Sequence, residues 1–170
     1  MQSRSFLSIV LICCSLLLLT ACGPDTQVAT VGKAAPDFTL MDRQGKSWTL
    51  SELKGQVVFL NFWATWCAPC REEMPSMQEI HEKLPQDSFK MLAILNKDEP
   101  ALADSFASKL GLTMPILDDQ ANTVGVQYGL TGLPETFIIN KKGIIVRKFI
   151  GPAQWNSPRY IQMLKQFIEQ

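Results

Sequence analysis

The stretch that decides the fold is Val57-Val58-Phe59-Leu60-Asn61-Phe62-Trp63, which runs on into Ala64-Thr65-Trp66-Cys67-Ala68-Pro69-Cys70. Residues 57–63 are almost all apolar, which predicts a buried strand. A helical spacing of apolar residues follows over residues 68–84. The chain therefore places a Cys-x-x-Cys pair where a central strand ends and a helix begins.

The position of this cysteine pair predicts redox chemistry. Cys67 lies at the start of the helix, where unpaired backbone N–H groups and the helix dipole favour a thiolate. Cys70 follows one turn later, close enough to attack a mixed disulfide as the resolving thiol. We therefore predict that Cys67 and Cys70 form a redox disulfide and are the catalytic pair.

The N-terminus has the pattern of an export signal. Arg4 precedes an apolar run over residues 6–19, which is short for a membrane span but typical of a signal-peptide core. The run ends in Leu19-Thr20-Ala21-Cys22, which resembles the lipobox of bacterial lipoproteins. We expect a signal peptide over residues 1–21, lipidation at Cys22, a tether to residue 35 and one domain over residues 36–170. An uncleaved anchor and an ordinary secretory peptide are the alternatives.

The cysteine count and the charge balance exclude other classes of protein. Of 5 cysteines, two leave with the leader and Cys22 is capped by lipid, so Cys67 and Cys70 remain as the free thiols. A disulfide framework is excluded, and a lone vicinal pair in an export compartment favours a redox role. With 16 basic and 16 acidic side chains, nothing indicates a nucleic-acid partner.

The rest of the chain alternates strands and helices. A β-hairpin is predicted around residues 42–45, a strand over 88–95, a helix over 100–110, an extended piece over 114–117 and a short helix over 121–128. A second hairpin turns at residues 140–143, and Ser157 with Pro158 caps the last helix. This order predicts an α/β sheet covered on both faces.

Two segments carry a resemblance to a known family. Phe62-Trp63-Ala64-Thr65-Trp66-Cys67-Ala68-Pro69-Cys70, with Pro75 in the following helix, and Thr131-Gly132-Leu133-Pro134-Glu135-Thr136-Phe137 resemble the thioredoxin superfamily. Within it the chain is most similar to the TlpA, ResA and CcmG group of membrane-tethered reductants. The resemblance implies a thioredoxin fold, a central mixed β-sheet flanked by helices, with an N-terminal β-hairpin and a central helical insert near residues 97–119.

The resemblance also implies a substrate-binding site made of Trp66, Leu133 and Pro134. In this group the proline is cis and lies beside the redox pair, which exposes the backbone of Leu133 to an extended substrate segment. The alternative interpretation of Pro134 is a proline at the start of a strand.

Glu73 is the third candidate catalytic residue. It lies three positions after Cys70, and in the resembling reductants a glutamate at this position influences the protonation of the cysteines. A carboxylate near two thiols raises their pKa and can carry a proton. Asn61 stands where thioredoxin has a buried acid, so Glu73 is the nearest replacement. The alternative is that residues 71–73 are an exposed helix start favoured by the dipole.

The function implied is a membrane-anchored thiol-disulfide oxidoreductase of the bacterial cell envelope, facing the periplasm. Its implied partners are disulfides of exported proteins, with apocytochrome c in cytochrome c maturation as one candidate, and a CcdA/DsbD-like membrane thiol donor. We expect no cofactor and no metal.

Other functions share parts of this pattern, and the sequence leaves some of them open and excludes others. A copper(I) chaperone on the same dithiol stays open, as does a disulfide oxidase or isomerase. A peroxidase is excluded because Ala64 stands where a threonine is needed. A structural zinc site needs four ligands, and the lone His81 is expected to face solvent.

Overall fold

The computed structural model of the protein describes residues 28–170. The predicted signal peptide and Cys22 lie outside the described residues. Within residues 28–170, no helix is both long enough and apolar enough to cross a membrane.

Seven strands, four α-helices and one 3₁₀ helix make up the described chain. The strands are β1 Thr39–Met41, β2 Ser47–Thr49, β3 Val57–Trp63, β4 Phe89–Asn96, β5 Ile116–Asp119, β6 Glu135–Ile139 and β7 Ile145–Ile150. The α-helices are α1 Ala68–Lys83, α2 Pro100–Leu110, α3 Thr123–Gln127 and α4 Pro158–Glu169, and the 3₁₀ helix is Leu50–Leu53.

Five strands form the central sheet in the order β5-β4-β3-β6-β7. Strands β3, β4 and β5 are parallel, whereas β6 runs antiparallel to β3 and to β7. β3 lies between β4 and β6, and all seven of its residues are buried, as its unbroken apolar run requires. The predicted mixed sheet is therefore confirmed.

Two apolar clusters cover the two faces of this sheet. One joins β3 and β4 to α1, α2 and α4, and it contains both Cys67 and Cys70. The other joins the opposite face to the β1–β2 hairpin, the 3₁₀ helix and α3. The redox pair thus belongs to the core on the face that α1 covers.

The segment 28–35 differs from the prediction of a tether. The backbone N–H of Ala29 donates to Gln127 O (3.1 Å), and that of Ala35 donates to Gly143 O (2.9 Å). Ala29 is buried in the second cluster. Backbone hydrogen bonds thus hold both ends of this segment against the domain.

Two smaller expectations also need correction. Ser157 precedes α4 as predicted, but its side chain makes no capping hydrogen bond. His81 is half-buried rather than solvent-facing, and its Nδ1 has no hydrogen-bond partner among the described residues. Burial lowers the pKa of His81, so the neutral ring is favoured.

Candidate active site

The two cysteines form a disulfide at the junction of β3 and α1, with their Cα atoms 5.3 Å apart. Cys67 is the N-cap residue of α1, and its Sγ accepts a hydrogen bond from the backbone N–H of Cys70 at 3.3 Å. Cys67 is 6% exposed and Cys70 is fully buried. Of the two cysteines, only the one at the helix N-terminus keeps any exposed surface.

A cavity of about 560 Å³ has Trp66, the residue immediately before Cys67, in its lining. Trp66 and Leu133 line it from two distant parts of the sequence, together with Lys97, Val126 and Gly129. The Trp66 side chain is 62% exposed. The tertiary structure thus brings together two of the three residues predicted to bind substrate.

Pro134 follows Leu133 immediately, and the peptide bond between them is cis, as the resemblance implies. Leu133 also packs against the cluster that holds Cys67 and Cys70. Within residues 28–170, neither the N–H nor the C=O of Leu133 makes a backbone hydrogen bond. An extended chain lying beside the disulfide would find this donor and this acceptor open.

Glu135 fixes the loop that carries Leu133. Its carboxylate accepts the backbone N–H and the hydroxyl of Thr131 at 2.8 and 2.6 Å, and it pairs with Lys148 Nζ at 2.8 Å. Burial alone would raise the pKa of Glu135, but the hydrogen bonds from Lys148 and Thr131 outweigh it and leave the pKa lowered. Sequence reasoning gave this residue no role, although an acid at the start of the buried strand β6 was a usable signal.

Glu73 is buried, with 1% of its surface exposed, whereas Arg71 and Glu72 are exposed. The alternative interpretation of Glu73 as part of an exposed helix start is therefore wrong. Its carboxylate accepts hydrogen bonds from Asn61 Nδ2 (2.9 Å), Trp155 Nε1 (3.0 Å) and the N–H of Ala153 (3.1 Å).

Burial and these hydrogen bonds act in opposite directions on the pKa of Glu73. Burial raises its pKa above the ordinary 4.5, and the hydrogen bonds from Trp155, Ala153 and Asn61 offset only part of that effect. The group is thus a carboxyl whose proton is held more tightly than in water. It lies one helical turn from Cys70, on the same inward face of α1.

Asn61 can serve Glu73 in either protonation state. Its Nδ2 donates to Glu73 and to Thr136 Oγ1, both at 2.9 Å, while its Oδ1 has no partner among the described residues. If the Asn61 amide is turned by half a rotation, its Oδ1 faces Glu73 and can accept a hydrogen bond from the O–H of the neutral carboxyl.

Trp155 is a hydrogen-bond donor to Glu73 that sequence reasoning missed. It is fully buried in the loop before α4, and Ser76 Oγ accepts its backbone N–H at 3.1 Å. A tryptophan in a loop that shows no periodicity gave no signal, because its contact with Glu73 crosses 82 positions of sequence.

Residues 28–170 contain no group of three or more His, Cys, Asp or Glu side chains that could hold a metal ion.

Comparison with known proteins agrees with this geometry. Residues 31–148 match the model of the AhpC/TSA family. The thiol-disulfide oxidoreductase ResA of Geobacillus thermodenitrificans is 40% identical over 145 residues, which cover 80% of this chain and 83% of that protein.

Two solved structures share the fold. A thiol:disulfide interchange protein DsbE from Chlorobium tepidum superposes with a TM-score of 0.74 at 26% identity, over 82% of this chain and 99% of that one. The exposed lipoprotein thioredoxin Etrx1 of Streptococcus pneumoniae gives a TM-score of 0.67 at 28% identity, over 77% of this chain and 99% of that one.

These matches confirm the thioredoxin fold and the protein-disulfide oxidoreductase activity that the cysteine pair predicts. The family match does not favour a peroxidase, because Ala64 still stands three residues before Cys67. The chain belongs to the AhpC/TSA family of the thioredoxin superfamily, among its ResA-like thiol-disulfide oxidoreductases.

Proposed function

We propose that this protein is a membrane-anchored reductant of disulfides in exported proteins. The observation that carries the proposal is that Cys67 keeps 6% of its surface exposed while the Leu133 backbone has open hydrogen-bonding groups. A protein disulfide presented in an extended segment suits both features, because the segment pairs with Leu133 while its sulfur meets Cys67.

The reaction uses two electrons from the reduced pair. The Cys67 thiolate attacks one sulfur of the substrate disulfide, forms a mixed disulfide and releases the first substrate thiolate, which takes up a proton. Cys70 then loses its proton and attacks Cys67 Sγ, which breaks the mixed disulfide and releases the second substrate thiolate. The products are two substrate thiols and the Cys67–Cys70 disulfide seen in the structure.

Glu73 is proposed as the group that takes the proton from Cys70 in the second step. Its raised pKa makes it a better proton acceptor than an ordinary carboxylate, and Asn61 can support both of its forms. In the disulfide neither sulfur carries a proton, so this proton transfer belongs to the reduced protein.

Separate measurement of the rates of the two steps tests this role. Glu73→Gln should slow the release of product from the mixed disulfide by about tenfold to a hundredfold, with the first step unchanged. Glu72→Gln removes a neighbouring exposed carboxylate and is the matched control. Equal slowing of both steps would assign Glu73 to packing rather than to proton transfer.

Lipidation at Cys22 is proposed as the anchor. The pneumococcal relative is described as an exposed lipoprotein. Cys22 and Val28 are six residues apart, a span of about 20 Å at most. Val28 lies against Gly129, which lines the cavity beside Trp66, so a short tether would keep this cavity near the membrane surface.

The anchor is tested by replacing Cys22 with alanine in the full-length chain. The wild-type protein should sediment with membranes and enter the detergent phase on extraction, whereas Cys22→Ala should lose both properties. If Cys22→Ala still partitions into detergent, an uncleaved leader is the anchor instead.

The direction of electron flow is the remaining part of the proposal. Apocytochrome c is the candidate substrate and a CcdA/DsbD-like membrane protein the candidate electron donor, both by family resemblance. Redox titration of the Cys67–Cys70 pair in the purified protein, read by thiol alkylation, tests the direction. A potential as oxidising as about −120 mV would make the protein an oxidase and overturn the proposal.

A further inference from the structure

The loop between β4 and α2 holds the backbone of the active-site turn. Asp98 Oδ2 accepts the N–H of Thr65 at 2.5 Å, and the carbonyl of Lys97 accepts the indole N–H of Trp66 at 3.5 Å. Thr65 and Trp66 are the two residues immediately before Cys67. The segment that resembles the family's central insert therefore begins with two direct contacts to the redox motif.

Asp98 is held in place on both of its oxygens. Its Oδ1 accepts the N–H of Glu99 at 2.8 Å while Oδ2 holds Thr65, and only 9% of the residue is exposed. A carboxylate that bonds backbone N–H groups on both sides cannot rotate without breaking a charge-assisted hydrogen bond. Its position in the fold is therefore fixed.

The rest of the loop is equally constrained. Lys97 has a φ of +50°, a left-handed conformation that a residue with a side chain rarely adopts, and its N–H reaches Asp119 O at 3.4 Å. Asp119 in turn accepts the N–H groups of Val124 and Gly125 at the start of α3. The loop is therefore tied to the body of the protein as well as to the active-site turn.

The other side of the active-site turn is held by α1. The carbonyl of Thr65 accepts Arg71 Nη1 at 2.5 Å. Thr65 is thus held through its N–H by Asp98 and through its C=O by Arg71. Both contacts hold the turn that leads into Cys67, the N-cap of α1, whose sulfur accepts the N–H of Cys70.

We propose that Asp98 is a positioning residue for the thiol-disulfide exchange, which holds the Thr65–Trp66 turn so that the Cys67 sulfur faces the N–H of Cys70. Asp98 touches neither sulfur, and its effect passes through Thr65. The inference rests on Cys67 being the attacking thiolate, as in the proposed function, but it does not depend on the direction of electron flow or on the substrate.

The charge of Asp98 and its hydrogen bond to Thr65 have opposite expected effects on the reactivity of Cys67, which makes the proposal testable. The negative charge of Asp98 disfavours a nearby Cys67 thiolate, so removing the charge alone should make Cys67 more reactive. Releasing the turn withdraws the N–H of Cys70 from the sulfur, so losing the hydrogen bond should make Cys67 less reactive.

The experiment measures alkylation of Cys67 by iodoacetamide across a pH series, in the reduced full-length protein. Asp98→Ala should lower the alkylation rate at neutral pH by about tenfold and move its midpoint to higher pH. Asp98→Asn keeps an oxygen for the N–H of Thr65 and should stay within about threefold of wild type. Glu99→Gln removes the neighbouring exposed charge and is the matched control.

Two outcomes overturn the proposal. One is alkylation of Asp98→Ala at the wild-type rate. The other is faster alkylation of Asp98→Ala and Asp98→Asn by the same factor, since that would show an effect of charge alone.

A second variant covers the case in which Asp98→Ala does not fold, as judged by circular dichroism. Asp98→Glu keeps the charge but displaces the oxygens, so alkylation at the wild-type rate would again refute positioning, and slower alkylation would support it. The readout needs no disulfide substrate, so its result stands apart from that of the redox titration.

Discussion

Asn61 of β3 donates its side-chain amide to the carboxylate of Glu73 on α1, with 2.9 Å between Nδ2 and Oε1. Both residues are buried, and the bond crosses the interface between the central strand and the helix that carries Cys70. The bond thus joins an amide in the strand to an acid on the helix, one turn after Cys70.

The first prediction concerns stability against pH. Because folding raises the pKa of Glu73, the folded chain holds this proton more tightly than the unfolded chain does. The stabilisation is complete below the unfolded value of 4.5 and is lost as the pH rises through the folded pKa. Each tenfold gain in proton affinity on folding contributes about 1.4 kcal/mol to the free energy of unfolding.

Glu73→Gln cannot ionise, so its free energy of unfolding should lack this decline. Urea unfolding of wild type and variant at a series of pH values measures the difference, which should shift in favour of the variant as the pH rises. Glu72→Gln should follow the wild-type curve. Parallel curves for wild type and Glu73→Gln would show that Glu73 has the same pKa in both states.

The second prediction concerns the roles of the two cysteines. Cys70→Ser should accumulate a mixed disulfide between Cys67 and its protein partners, because the resolving thiol is gone. Cys67→Ser should trap much less, since Cys70 is fully buried. Gel analysis without reductant, followed by mass spectrometry, measures both. Tight copper(I) binding by the wild-type protein, together with no mixed disulfide recovered from Cys70→Ser, would favour the copper chaperone.

The third prediction concerns the ion pair behind the Leu133 loop. Lys148→Met leaves the Glu135 carboxylate buried without its cation, which should cost about 2 kcal/mol of stability at neutral pH. The lowered pKa of Glu135 means that its contribution is present above the ordinary value of 4.5 and is lost as the pH falls through the folded pKa.

The difference in the free energy of unfolding between wild type and Lys148→Met should therefore disappear at acidic pH. Urea unfolding at neutral pH and at about pH 3 measures it, with Lys165→Met at an exposed position of α4 as the control. A gap of the same size at both pH values would mean that lost packing, and not lost charge pairing, destabilises the variant.

The fourth prediction concerns Trp66. Its side chain is 62% exposed, so Trp66→Ala should change stability by no more than about 0.5 kcal/mol. Reduction of a protein disulfide should slow about tenfold, because the variant loses an aromatic wall of the cavity. Alkylation by a small reagent should change little.

Met41→Ala is the matched control for Trp66→Ala, since Met41 is 57% exposed on the β1–β2 hairpin. The comparison of protein and small-molecule substrates decides the role. Equal slowing with both substrates would assign Trp66 to the geometry of Cys67 rather than to substrate contact.

Local patterns predicted most of the fold. The apolar run of β3 and the helix that starts after Cys67 follow from periodicity, and both bounds of α2 agree with Pro100 as a first-turn residue and Gly111 as a stop. The predicted boundary between tether and domain differs from the structure, because packing against distant loops sets it. Residues 28–35 looked like a tether because they are short and unpatterned, yet backbone hydrogen bonds to distant loops hold them on the domain.

The candidate site likewise has a part that the local sequence predicts and a part that only tertiary packing decides. Cys67 and Cys70 are close in sequence, and their chemistry depends on a helix start that the local sequence marks. The contacts of Glu73 with Trp155, of Thr65 with Asp98 and of Thr131 with Glu135 depend on loops whose paths no periodicity predicts.

The sequence alone determined that Cys67-Ala68-Pro69-Cys70 stands between a buried strand and a helix, because hydrophobic periodicity and helix-start signals act over a few residues. The tertiary structure alone decided what surrounds this motif. It buries Glu73 behind Cys70, places the open backbone of Leu133 beside the disulfide and holds Thr65 with Asp98. These contacts join residues far apart in the chain, and only the packing of the sheet and its helices brings them within hydrogen-bond range.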